Sequence, residues 1–230
     1  MTAQPDARGD VAVLVVAAGL GVRLGAGTPK ALRLLAGQPL LVHAMRRVAA
    51  APSVGVVVVA APPAEVDAVA RLLGSAVTVV PGEAHRQASV AAALAAVPDR
   101  FEIVLVHDAA RALAPTTLVE AVAAAVRGGA DAVIPVLPVV DTVKEVVADT
   151  VVGTVDRSVL RVVQTPQGFR RAVLAAAHRA AVDSHTDDAG LVEKLGVPVV
   201  AVPGHEAAFK ITRPVDLVLA EALLAGEADW

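Results

Sequence analysis

VLVVAAGLGVRLGAGTPKAL, residues 13–32, carries an apolar strand into a run of small residues and then delivers two cations into a Gly/Pro loop. The strand reading covers 11–16. Ala17, Ala18, Gly19 and Gly21 follow it, and Arg23 and Lys30 come next. A strand that ends in glycines lets backbone N–H groups approach a phosphate closely, because no Cβ stands in the way. No acidic residue occurs from Val11 through Ala64, whereas Arg23, Lys30, Arg33, Arg46 and Arg47 all fall in that window. The field there is positive although the whole chain is formally −3. That points to an anionic small molecule bound at one place, not to a surface that coats nucleic acid.

Two common nucleotide loops are excluded by their own spacing. Gly19 and Gly21 are followed by Leu24 where the dinucleotide fingerprint needs a third glycine, and no acidic residue follows at ribose distance. Lys30 is preceded by Pro29 and followed by Ala31, so the Gly-Lys-Ser/Thr of a P-loop is absent. By itself the segment also reads as a glycine-rich β-to-α turn carrying two solvated cations.

Around this loop the composition narrows the classes. The chain has 230 residues, enough for one well-packed domain, and no linker composition divides it. Hydrophobic content of 56% and a mean hydropathy of +0.64 look membrane-like. Yet the apolar runs are broken by Pro, Gly or charge before reaching the 18 or so residues that span a bilayer. The opening MTAQPDARGD lacks the basic-then-apolar pattern of a signal peptide. No cysteine is present, and the six histidines show no metal-site spacing. Aromatics at 2% leave little to stack on single-stranded nucleic acid. These features predict a soluble cytoplasmic protein with no membrane or nucleic-acid partner.

Short β-branched runs at 11–16, 55–60, 76–80, 102–106, 132–135, 161–163 and 197–202 read as strands. Ala/Leu-rich segments at 39–51, 63–73, 86–97, 115–127, 170–181, 187–194 and 214–225 have helical spacing. Continuous apolar strands separated by helices predict an α/β fold with a mostly parallel sheet covered on both faces. Ligands in such sheets gather at the carboxyl ends of the strands. The loops after Val16, Val106 and Val163 are expected there. One segment breaks the rhythm: VVDTVKEVVADTVVGTV, 139–155, alternates around a turn near Ala148 and reads as a β-hairpin. It is either an arm that packs on another subunit or an ordinary edge hairpin.

Other candidates come from local chemistry. In VLVHDAARA, Asp108 stands at the end of a buried strand, where a carboxylate suits Mg²⁺ held jointly with substrate phosphates; the structural alternative is a helix cap or a partner for Arg111. PGEAHRQASV brings Gly82, His85, Arg86 and Ser89 into a helix start, to read a base or to cap. In SHTDDAG, helix capping accounts for Asp187 and Asp188. FKITRPVDL sets Lys210 in a strand between apolar Phe209 and Ile211, either snorkelling or aimed at an anion.

Taken in order, AAGLGVRLG…TPKAL, GEAHRQASV, VLVHDAAR, DTVK, VDRSVLRVVQTPQGF, TDDA and FKITRPVDL resemble the 2-C-methyl-D-erythritol 4-phosphate cytidylyltransferase family over nearly the whole chain. The opening loop is shared by many nucleotidyltransferases; the later motifs together are more specific. The resemblance implies a Rossmann-like nucleotidyltransferase fold, CTP as substrate, Mg²⁺ and a homodimer built with the arm. It implies that Arg23 and Lys30 stabilise the reacting phosphates and that Asp108 is a metal or substrate carboxylate. Ala17, Ala18, Gly19, Gly21, Gly82 and Ser89 would contact the nucleotide. Thr142, Arg157 and Lys210 would contact the sugar phosphate. Val22, Ala112 and Pro81 depart from the family pattern without removing a catalytic candidate. The same chemistry on ribitol 5-phosphate or another polyol phosphate is the nearest alternative, and a non-catalytic nucleotide-sensing module is the second.

Overall fold

The computed structural model describes residues 9–19, 29–182 and 186–226. Chain order begins with β1 (Val11–Val16), a two-residue ladder of β2 (Leu34–Leu35) on β3 (Gln38–Pro39), and α1 (Leu40–Ala49). Then come β4 (Val54–Ala61), α2 (Val66–Leu73), β5 (Thr78–Pro81), α3 (Arg86–Ala95), β6 (Ile103–Asp108) and α4 (Thr116–Arg127). The second half holds β7 (Ala132–Pro138), β8 (Val143–Val147), β9 (Thr150–Val155), β10 (Arg161–Val163), β11 (Gln167–Arg170) and α5 (Arg171–Ala180). Last are α6 (Ala189–Lys194), β12 (Val199–Pro203) and α7 (Pro214–Ala225).

The main sheet runs β10-β7-β11-β6-β1-β4-β5, with β12 also on β7. Strands β5, β4, β1 and β6 are mutually parallel, as the alternation of strand and helix predicts. Every residue of β1 from Val11 to Val15 is fully buried, which explains why its sequence is continuously apolar rather than alternating. Its pleat still divides them. Val11, Val13 and Val15 pack with Leu41, Met45, Val59 and Val122 under α1, α2 and α4. Ala12 and Leu14 pack with Val90, Phe101, Phe169 and Leu174 under α3, α5 and α6. Each fully buried Leu or Phe contributes about 1.5–3 kcal/mol of transfer free energy, so both layers are held chiefly by this packing.

One strand of the main sheet is not marked by its sequence pattern, and neither is the short β2–β3 ladder. β11 lies between β6 and β7 and runs antiparallel to both. Gly168 reads locally as a turn residue, but here it lets α4 approach: a Cβ at that position would lie 2.6 Å from Val122 Cγ1. The strand expected at 102–106 extends to Asp108, which thereby stands at its last position. The helix expected at 63–73 opens as a 3₁₀ turn, Pro63–Glu65, before α2 begins. Lys210, expected in a strand, lies in an extended loop before α7. The apolar flanks are real, but Ile211 N–H donates to Ala110 O rather than to a ladder.

β8 and β9 pair only with each other, as a hairpin that stands apart from the main sheet. Ala148 and Asp149 between them both have positive φ, 45° and 66°. That is the paired left-handed geometry a two-residue hairpin turn requires. Val146, Val147, Val151 and Val152 are each more than half exposed.

Candidate active site

The parallel strands change direction of progression between β1 and β6, the place where an open α/β sheet leaves a crevice at its carboxyl edge. A cavity of about 430 Å³ opens there. Ala17, Ala18 and Gly19 form one wall, with Ala17 N–H donating to Ala60 O at 2.9 Å. Lys30 closes the same wall: its N–H donates to Gly19 O at 3.3 Å, and buried Ala31 beside it fixes the short turn in the core. Arg23 and Gly21 lie outside the described residues.

The loop after β5 forms the second wall. A Cβ on Gly82 would lie 2.3 Å from Ala18 Cβ and 3.0 Å from Ala61 O, so the close approach of the two loops requires glycine there. Ser89 is buried at the cavity, and its hydroxyl accepts from Glu83 N–H at 2.9 Å while facing His85 O at 3.1 Å. It therefore shapes the loop that carries Gly82 and Glu83.

Asp108 forms the floor. Oδ1 accepts from Arg86 Nε at 3.1 Å and Oδ2 from Lys210 Nζ at 2.6 Å. Burial opposes its ionisation, but the charges of Arg86 and Lys210 outweigh that and hold the carboxyl well below the ordinary range. Arg111, the partner in one of the two structural alternatives for Asp108, instead donates to Ala208 O at 2.7 Å and Val163 O at 3.0 Å, tying the end of β10 to the 3₁₀ turn Glu206–Ala208. Thr165 Oγ1 accepts from Asp108 N–H at 3.0 Å and lies 3.2 Å from His107 Nδ1. The loop holding Thr165 does reach the carboxyl edge, but not as the end of a parallel strand. β10 is antiparallel to β7, and the loop sits there because it feeds β11, which runs back along β6.

Lys210 is aimed by the helix start beyond it. Asp216 accepts from Thr212 N–H, Thr212 Oγ1 and Arg213 N–H, a capping arrangement that starts α7 and pins the preceding loop. Ile211 is fully buried beneath.

Thr142 and Arg157 do not join this cavity in their own chain. Thr142 is exposed at the root of the arm, and Arg157 donates to Val140 O beside a shallow hollow shared with Asp156 and Arg161. Local sequence did not reveal Arg86 as the partner of Asp108. It also suggested capping for both aspartates before α6. Asp187 does cap, accepting from Gly190 N–H at 3.1 Å, but Asp188 points to Arg86 and His178. Among the described residues no group of three His, Cys, Asp or Glu side chains is placed to enclose a metal, and no helix is long and apolar enough to cross a membrane.

Residues 11–226 match the family model described as 2-C-methyl-D-erythritol 4-phosphate cytidylyltransferase. A protein of that name from Frankia casuarinae is 60% identical over 96% of this chain and 84% of its own length. One from Streptomyces coelicolor is 54% identical over 93% and 84% respectively. Among solved structures, the 2-C-methyl-D-erythritol 4-phosphate cytidylyltransferase of Thermus thermophilus superimposes with a TM-score of 0.78 at 38% identity, covering 92% of this chain and 98% of that one.

Proposed function

We infer the chemistry of this site from the premise that the chain belongs to the 2-C-methyl-D-erythritol 4-phosphate cytidylyltransferase family. It is a nucleotidyltransferase that converts CTP and 2-C-methyl-D-erythritol 4-phosphate into 4-diphosphocytidyl-2-C-methyl-D-erythritol and pyrophosphate, a step of isoprenoid precursor formation. The observation that carries a catalytic reading is the cavity itself, lined by Lys30 on the wall after β1 and by the Asp108–Lys210 pair at its floor.

The nucleophile is already an anionic phosphate oxygen, so no general base is needed. The barrier is repulsion, because one anion must approach the α-phosphate of another while charge collects on the leaving pyrophosphate. A unit cation about 4 Å from a unit anion is worth roughly 4 kcal/mol at an effective dielectric near 20. Lys30 and Arg23 would serve the triphosphate in this way, and Lys210, held by Asp108, the acceptor phosphate. The small residues Ala17, Ala18, Gly19 and Gly21 would admit the nucleotide against the backbone. Gly82 and the loop shaped by Ser89 would border the base.

A divalent cation such as Mg²⁺ fits as a passenger of the nucleotide. Asp108 offers an ionised carboxylate, yet each of its oxygens already accepts from a cation. When bound, the ion would neutralise charge on the triphosphate, and among the described residues Asp108 would meet it at the floor through a remaining carboxylate lone pair.

The arm supports a homodimer. An isolated two-stranded hairpin is marginal in water, and this one exposes four valines. We read 1–230 as one nucleotidyltransferase domain whose arm, 139–155, crosses to a second copy in the cytoplasm and carries Thr142 and Arg157 toward that copy's acceptor phosphate.

Pyrophosphate release from CTP and Mg²⁺ with each polyol phosphate in turn tests the acceptor. Turnover with 2-C-methyl-D-erythritol 4-phosphate is expected. Turnover with ribitol 5-phosphate alone contradicts the assignment, and nucleotide binding without turnover on any acceptor contradicts catalysis.

A further inference from the structure

Asp188 has 0% exposure at the start of α6, yet its carboxylate makes no capping bond to that helix. One oxygen accepts from Arg86 Nη1 at 2.7 Å and the other pairs with His178 Nε2 at 3.0 Å. Arg86 Nε in turn reaches Asp108, and Asp108 holds Lys210. The line His178–Asp188–Arg86–Asp108–Lys210 thus runs from α5 to the cavity. Its first two members stand behind the lining.

A carboxylate buried this deeply is costly unless a cation meets it. Arg86 meets it, and its planar fork is thereby fixed in two directions, toward Asp188 and toward Asp108. A guanidinium divided between two carboxylates has its charge offset by them, although its side chain lines the cavity. Asp108 is likewise fixed from behind, which leaves Lys210 as the cavity-side end of the line, its side chain 41% exposed. Removing the charge of Asp188 would leave Arg86 with a single carboxylate and a surplus charge beside the substrates. Asp108 and Lys210 would then lose their set geometry.

We propose that Asp188 is a positioning residue for the acceptor half of the site, acting through Arg86 on Asp108 and so on the Lys210 ammonium. This rests on the reading of Lys210 as an acceptor contact. The test is steady-state kinetics of Asp188→Asn, Arg86→Lys and the double variant, with CTP and the polyol phosphate varied in turn. Arg86→Lys keeps the positive charge but loses the planar fork whose Nε and Nη1 reach Asp108 and Asp188 separately. In each single variant the acceptor KM is expected to rise about tenfold, with the CTP KM changed less than about twofold. In the double variant it is expected to rise no further than in Arg86→Lys alone, because both changes break one line.

An acceptor KM that stays at the wild-type value, or rises no more than the CTP KM, overturns the proposal. So do effects that multiply in the double variant. If Asp188→Asn does not fold, Arg86→Lys alone decides, since that side chain is partly solvent-exposed. A wild-type enzyme inactive on every polyol phosphate overturns the proposed function and this role with it. Active wild-type enzyme with unaltered variants overturns the role alone.

Discussion

Lys210 Nζ lies 2.6 Å from Asp108 Oδ2, although 102 positions separate the two residues in the chain. The pair joins the end of β6 to the loop before α7 and sets a cation over the floor of the cavity. On the proposed reading of Lys210 as an acceptor contact, Lys210→Ala removes a cation from that side of the cavity. The acceptor KM is expected to rise about tenfold or more, with the CTP KM changed by less than about threefold. Initial-rate kinetics with each substrate varied check this, and a selective rise in the CTP KM would mean the two subsites are reversed.

Lys30 lines the same cavity on the wall after β1, where buried Ala31 rather than the lysine does the packing. If Lys30 serves the triphosphate as proposed, Lys30→Ala is expected to lower kcat by about 10² with little change in thermal midpoint, because the lost interaction would be with charge that develops during transfer. Arg23→Ala is expected to behave alike on the sequence reading. Unchanged kcat in both variants removes the pair from the mechanism.

His107 is buried directly behind Asp108. Burial is the main influence on it, with the Arg111 charge acting in the same sense against that of Asp108, and its pKa falls to about 4. The unfolded chain binds a proton near about 6.5, so between there and 4 the unfolded state holds more protons than the folded one. Stability from this group is therefore complete above about pH 6.5 and is lost as pH falls toward 4. The loss between about pH 7.5 and about pH 5 comes to about 2 kcal/mol. Urea midpoints of wild type and His107→Gln at the two pH values check it: the wild type is expected to lose more stability than the variant. Asp108 adds nothing in this window, because its folded value lies lower still and its unfolded value is about 3.9.

If the arm crosses a two-fold axis, Arg157 serves its partner's site while Lys30 serves its own. Lys30→Ala and Arg157→Ala homodimers are then both poor. Co-refolding equal amounts is expected to restore about a quarter of wild-type activity, since half the dimers are mixed and each of these has one whole site. No recovery from mixtures shown to contain heterodimers leaves Arg157 as a same-chain contact.

Much of the frame was legible because its signals are local. β1 announces itself by an apolar run that ends in small residues, and the hairpin by alternation around its turn. β11 was hidden because Pro166 and Gly168 are turn residues by local rule, while the reason for Gly168 is the approach of α4. The site divides in the same way. Lys30, Asp108 and Lys210 each occupy a position whose local chemistry marks them. Arg86 and Asp188 are marked locally only as helix-start residues, since their partners lie across 22 and 102 positions that no spacing rule encodes. The double aspartate before α6 was the available signal: one carboxylate suffices to cap that helix, so the second had another partner.

The central step is attack by a phosphate oxygen of the acceptor on the α-phosphorus of CTP, and isotopic oxygen follows it directly. With ¹⁸O in every phosphate oxygen of 2-C-methyl-D-erythritol 4-phosphate, mass spectrometry of the products after one turnover is predicted to find all the label in the cytidyl diphosphate product and none in pyrophosphate. Label in pyrophosphate, or label absent from the bridge between the two phosphorus atoms of the product, would contradict it.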